Sequence, residues 1–365
     1  MIELALHGLH LAWNARFTVV NGVEVVESYG DTVGEYEALR HAAGVLDLSC
    51  RSRLCLTGSD RKRFLHGQVT NQVQELKEGE GCYAALVTAK GKLLSDLNIY
   101  ALADELLLDF EPGLSRAVAD RFEQFVIADD VQVVDVAPHY GLLSIQGPKY
   151  AEALRAAGLD VVVPAKVLHV VRIDHAAWGE IFCMNHPRSA TGGVDVFVPT
   201  ESLRAAAEKF VSAVQALGGR ACGWQALETA RIEAGVPRFG ADMDESNLAP
   251  EAGIEERAIS YNKGCYIGQE VIARIRTYGQ VAKSLCGLLL PAELPALPPR
   301  GEKLFRNGKE AGYVTSAVWS PAWQRNLALS YVRRESNAPG TELDLAPPLS
   351  GKATVVALPF RFEQR

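Results

Sequence analysis

Two stretches of this 365-residue chain have the residue types and spacing to do chemistry. The first is Lys263-Gly264-Cys265-Tyr266-Ile267-Gly268-Gln269-Glu270, with Arg274 four residues further on. Glycines bracket the thiol and relieve backbone crowding around it. Gln269 to Arg276 reads as a short helix, so Cys265 stands just ahead of a helix N-terminus. A helix N-terminus and nearby cations both favour a thiolate, and Lys263, Arg274, Arg276 and Lys283 supply the cations. A thiol so placed can attack, exchange or ligate a metal. The competing reading is a buried, inert cysteine, which is the common case.

The second stretch is Thr88-Ala89-Lys90-Gly91-Lys92-Leu93-Leu94-Ser95-Asp96-Leu97. Asp96 lies on an otherwise apolar strand. Pointing inward, its carboxylate needs a partner or carries a function; pointing outward, it is a solvated strand residue. A third segment, Arg231 to Glu245, ends a helix and enters a loop with three acids. It lacks the Asp-x-Asp-x-Asp-Gly pattern of a calcium loop. Gly192-Gly193 lacks the second half of either nucleotide-binding glycine fingerprint.

The elements that must position these residues follow from pattern. Phe17 to Val26 alternates around an Asn21-Gly22 hairpin turn. Asp31 to Ala43 has helical spacing and stops at Gly44. Strands are expected at 54–58, 83–87, 94–100 and 106–110, with Ser59 or Asp60 capping a helix through Phe64 and Leu65 and another helix at 112–125. A second strand–helix–strand series runs through 139–146, 148–157, 168–173, 181–184 and 194–198 to an amphipathic helix at 202–217. Trp224 to Ala234 is helical. From about Ser284, short apolar runs alternate with Pro- and Gly-rich turns, as in a small β-barrel or sandwich.

Composition bounds the rest. Hydrophobic residues make up 48% and charged residues 22%, an ordinary globular balance. A net charge of -7 argues against broad nucleic-acid binding. No run approaches the roughly 20 apolar residues of a membrane span, and the N-terminal residues lack a secretion signal, so a cytoplasmic, membrane-free protein is expected. Seven cysteines without a Cys-x-x-Cys pair read as free thiols, and scattered histidines argue against a self-contained metal site.

The Lys263-to-Glu270 motif with Arg274 resembles the signature of the YgfZ proteins, folate-binding relatives of the glycine cleavage T-protein linked to iron–sulfur cluster assembly or repair. Phe64-Leu65-His66-Gly67-Gln68-Val69-Thr70-Asn71-Gln72-Val73, the Gly91-to-Tyr100 strand, Arg231-Ile232-Glu233-Ala234-Gly235 and Gly312-Tyr313-Val314-Thr315-Ser316 resemble segments of the wider T-protein superfamily. The resemblance implies an α+β, three-domain ring: residues 1–50 with 137–282, residues 51–136, and a C-terminal β-barrel at 283–365. It implies tetrahydrofolate, or a one-carbon derivative, as cofactor. The implied folate-binding residues are Asp96, Arg231, Lys263, Tyr266, Gln269, Glu270 and Arg274, with Cys265 and Asp96 as the chemical groups. Folate and iron–sulfur enzymes or assembly proteins are the implied partners of a monomer, with transient iron ligation by Cys265. Two departures bear on activity. The T-protein's paired aspartates are Ser95-Asp96 here, and its Thr-Gly-Glu-Asp-Gly segment is Thr191-Gly192-Gly193-Val194-Asp195. With the cysteine motif, these favour an accessory role over the alternative, a folate-dependent aminomethyltransferase or demethylase.

Overall fold

The Asn21-Gly22 turn forms as its residue types require. Asn21 and Gly22 both adopt positive φ, 49° and 80°, and join strands Arg16–Val20 and Val23–Ser28 in a two-stranded sheet. The computed structural model describes residues 2–361; residue 1 and residues 362–365, which end the first and last expected domains, lie outside the described residues. The chain divides into two compact units. One takes the residues up to Ala84, Ser95–Ala230 and Asn262–Tyr266; the other takes Ala85–Leu94, Arg231–Tyr261 and the chain from Ile267 onward.

The first unit carries a six-stranded sheet in the order Val170–His175, Gly179–Asn185, Gly193–Pro199, Tyr140–Gln146, Gly44–Asp47, Arg220–Ala221. Helix Leu203–Ala216 lies on it. Its buried Leu203, Ala206, Ala207, Phe210, Val211 and Val214 recur at three- and four-residue steps and join Val194, Val196 and Val198 in one core. A five-stranded sheet runs Gly81–Val87, Leu93–Ala101, Leu106–Phe110, Ser52–Thr57, Gln132–Asp135. The tip of its first hairpin, residues 85–94, belongs to the second unit.

Two local expectations fail for identifiable reasons. Gly44 does not end the second helix, which runs Thr32–His41; it opens a buried strand. A side chain there would collide with Cys222 Sγ and Leu39, each 2.5 Å from an added Cβ, so close packing selects the glycine. Asp60 occupies the N-cap of helix Arg61–Gln68, but no side-chain cap bond forms. Its carboxylate accepts from the Asp130 amide instead (2.9 Å), and Ser59 donates to the Asp130 carboxylate (2.8 Å), stitching two loops together.

The second unit is built on a closed six-stranded barrel with strands in the order Lys283–Leu289, Arg325–Arg333, Lys309–Ser320, Lys303–Arg306, Glu342–Leu345, Lys352–Val356. The strand Lys309–Ser320 breaks register between Val314 and Ser316. Such a bulge re-aims side chains, and here Thr315 and Ser316 both donate to Asp242 Oδ1, each at 2.6 Å. The other Asp242 oxygen pairs with Arg231, whose guanidinium also donates to Ser316 Oγ (2.9 Å) and the Val236 carbonyl (3.2 Å). Glu233 accepts from Ser320. The Arg231-to-Gly235 segment is thus a clamp on the barrel. Arg231, expected to bind folate, is a buried structural cation whose donors serve this clamp. Removing one partner of a buried pair strands the other charge. Asp242→Ala is therefore expected to lower stability by about 3–5 kcal/mol in urea unfolding, and a loss below about 1 kcal/mol would contradict the clamp.

Candidate functional site

Residues two apart on a strand share a face. Along Leu93–Ala101, that places Asp96, Asn98 and Tyr100 together, and their partners agree. Tyr83 donates its hydroxyl to Asp96 Oδ2 at 2.8 Å, Asn98 donates to Asp109 Oδ2 at 2.9 Å, and the Tyr100 hydroxyl meets His186 Nδ1 at 3.2 Å. Asp96 points inward. Its second oxygen, Oδ1, is shielded from solvent and has no hydrogen-bond partner among the described residues. Burial raises its pKa to about 6 and Glu111 adds to the shift, while the Tyr83 hydrogen bond and Arg51 pull the other way.

Beside Asp96 lies a buried charged layer. Arg51 donates to Asp109 (2.7 Å) and Glu111 (2.8 Å), and Arg188 donates to Asp195 (2.6 Å) and Asp109 (3.2 Å). His186 Nδ1 lies 3.0 Å from Asp195. Burial opposes the ionisation of Asp109 and Asp195, but the arginines outweigh it and hold both carboxyls below their usual range, His186 adding to the effect on Asp195. Asp109, His186 and Asp195 bring ligand atoms within 4.8 Å of one another, as a metal site would. Arg188 already supplies the cation to both carboxylates. Sequence reasoning missed these residues. The signal was present: Asp109 interrupts the apolar run Leu106-Leu107-Leu108-Asp109-Phe110, as Asp96 interrupts its own strand.

The cysteine motif joins this region through Lys263. Its buried ammonium donates to the carbonyls of His66 (2.5 Å), Val69 (2.7 Å) and Asn71 (2.9 Å). These carbonyls lie at and just beyond the C-terminus of helix Arg61–Gln68, where orphan acceptors and the helix dipole both attract a cation. Burial lowers the Lys263 pKa to about 8, which leaves it charged at neutral pH. Lys263, expected to bind folate, here donates through its ammonium to three carbonyls of the protein's own backbone. Asn71 continues the link, its side chain donating to the Tyr83 carbonyl at 2.8 Å. Lys263, Asn71, Tyr83 and Asp96 form one chain of contacts within the first unit.

Tyr266 is buried, its ring 4.9 Å from the Lys263 ammonium, and burial pushes its phenol up to about 12. Cys265 between them is exposed, and it alone among the described cysteines is so. It lies three residues ahead of Gly268, the N-cap of helix Gln269–Tyr278. Glu270 is exposed in that helix's first turn, Gln269 is half-buried, and Arg274 is exposed. Arg276 stacks its guanidinium on Tyr261 at 3.8 Å.

Comparison with known proteins places this geometry. Residues 6–263 match the GCVT N-terminal domain, and residues 283–361 match the glycine cleavage T-protein C-terminal barrel domain. The chain belongs to the glycine cleavage T-protein family. An aminomethyltransferase of Bacillus subtilis is 28% identical, covering 97% of this chain and 98% of the relative. A second, from Rubrobacter xylanophilus, is 27% identical over 99% and 94%. A putative chloroplastic transferase of Arabidopsis thaliana is 26% identical over 90% and 74%. The crystal structure of glycine cleavage system aminomethyltransferase T from Bartonella henselae superimposes with a TM-score of 0.87 at 24% identity, covering 98% of both chains, and speaks for the fold. The α+β T-protein fold with its closed barrel is therefore as expected. These three relatives are named as an aminomethyltransferase or a putative transferase, and none as an iron–sulfur protein. No helix among the described residues is long and apolar enough to cross a membrane.

A T-protein-family carboxylate held as Asp96 is held costs stability. Its folded pKa lies above the unfolded value, so the native state binds more protons across the window from about 4 to about 6, and stability falls as pH rises through it. Asp96→Asn is expected to raise stability at pH 7 by about 1–3 kcal/mol, with the gain vanishing below pH 4. Urea titrations at pH 4 and pH 7 measure it, and a destabilised variant at pH 7 would contradict the assignment.

Proposed function

We propose that the chain binds tetrahydrofolate at Asp96 and serves one-carbon transfer from an amine, as an aminomethyltransferase or demethylase of the T-protein type. The supporting observation is Asp96 Oδ1, a buried acceptor with no donor among the described residues. A buried carboxylate oxygen is normally paired, and an amine N–H of folate or of the one-carbon donor supplies what it lacks. Tetrahydrofolate, when bound, supplies the nitrogen nucleophile that takes up the one-carbon unit. Tyr83 fixes the Asp96 carboxylate by its hydroxyl, leaving Oδ1 free to accept a hydrogen bond or a proton. With a pKa of about 6, Asp96 is mostly ionised at neutral pH and close enough to it for general base work. Asp195, in the altered Thr191-to-Asp195 segment, is engaged by Arg188 and His186 and leaves the ligand side to Asp96.

Folinic acid titration and release of ammonia or methylene-tetrahydrofolate from an aminomethylated carrier or a methylated glycine test this reading. Asp96→Asn is expected to lower turnover at least 100-fold, and wild-type activity is expected to rise with pH through about 6. A dissociation constant weaker than about 1 mM, or about 4 kcal/mol of binding, or full activity in the variant, would overturn it.

A second reading rests on the exposed Cys265. The loop that presents it is tied down by Lys263 and by buried Tyr266. A pinned backbone carrying an exposed thiol suits contact with a partner, here iron–sulfur enzymes or their assembly proteins, through transient iron ligation or thiol exchange. Cys265→Ala is expected to leave folding and folate binding unchanged and to abolish rescue of cluster-enzyme activity in a deletion strain. Full rescue removes the thiol from the function.

A further inference from the structure

Arg53 is 1% exposed, yet most of its donors have no acceptor. Among the described residues only Nη2 finds acceptors, the Ser49 carbonyl at 3.1 Å and the Ala137 carbonyl at 3.2 Å. Nε and Nη1 are shielded from solvent and unpartnered. The nearest acid by register, Asp109, lies directly across the sheet from Arg53, but its oxygens already accept from Arg51, Asn98 and Arg188. A buried guanidinium lacking acceptors is costly, so an acceptor from outside the chain is called for.

There is room for one. Arg53 lines a cavity of about 320 Å³ together with Cys55, Leu102, Leu107, Phe182 and Phe197, a volume at the lower edge of small-ligand sites. Its guanidinium carbon lies 5.9 Å from the centre of the Phe197 ring. Glu105 and His139 also border the cavity. Burial pushes the Cys55 thiol up and Glu105 adds to the shift; Cys55 stands one strand repeat, about 7 Å, along from Arg53. We propose that this cavity binds a small apolar monocarboxylate, its carboxylate accepting from Arg53 and its hydrocarbon body lying against Phe182, Phe197 and Leu107. Glu105 opposes a second negative charge at the other end, which restricts the ligand to one carboxylate. The site is independent of the folate reading, because neither Asp96 nor Tyr83 lines it.

Sodium benzoate is the probe and benzamide its uncharged counterpart, both titrated into the full chain at constant ionic strength by calorimetry. Saturable binding of benzoate, at least tenfold tighter than benzamide, is expected. Arg53→Met keeps the aliphatic stem and is expected to weaken benzoate at least tenfold, with Arg53→Lys retaining part of the affinity. Crystals soaked in benzoate are expected to show its carboxylate on Nε or Nη1. Equal affinity for the two probes, benzoate binding unchanged in Arg53→Met, or only water on these nitrogens in soaked crystals would each overturn the proposal. If Arg53→Met does not fold, the wild-type comparison and the soaked crystal decide it.

Discussion

Asp109 accepts from Arg51, Arg188 and Asn98 at once, and the first unit is organised around this carboxylate. Arg51 belongs to the approach of strand Ser52–Thr57, Asn98 to strand Leu93–Ala101, and Arg188 to the loop before strand Gly193–Pro199. Three segments distant in sequence are thus brought to one buried atom group. A charge this deep is tolerable only when paired and hydrogen-bonded, so the layer is held in one arrangement: displacing any arginine strands an acid.

Among the described residues of this unit, unsatisfied buried atoms occur at Arg53, Arg61, Gln72 and Asp96, and two of these residues, Arg53 and Asp96, lie on this layer's sheet. Asp96 stands on the strand that contributes Asn98, and Arg53 stands across from Asp109. Asp109 is saturated by its neighbours and can serve neither. The layer is complete in its middle and incomplete at Asp96 Oδ1 and at Arg53 Nε and Nη1. Buried polar groups in folded proteins are nearly all paired, so such gaps mark where something other than the chain is expected.

Lys263 shows how a motif can be functional in sequence and structural in detail. Its charge neutralises a helix C-terminus rather than a ligand, and in doing so sets the position of the exposed Cys265 beside it. Arg231 underwent the same reassignment. Its neighbours in sequence suggested a ligand, but the bulge at Val314–Ser316 turns two hydroxyls onto Asp242 and makes the arginine part of the barrel's attachment.

The sequence alone determined the elements whose cause is local. The Asn21-Gly22 hairpin, the helix over 203–216, the strand at Leu106–Phe110 and the barrel character of the C-terminal region follow from turn chemistry and from periods of 2 and 3.6. It also singled out Asp96 and Cys265, because a lone acid in an apolar strand and a glycine-flanked thiol are visible as letters. Only the tertiary structure decided what each charged residue faces. Gly44–Asp47 is too short to show a period and is a strand because its neighbours supply its hydrogen bonds. Tyr83, Asn71, Arg51, Arg53 and Arg188 acquire their roles from partners far away in the chain. Long-range pairing of charges leaves no periodic trace in sequence, since it depends on which strands lie side by side.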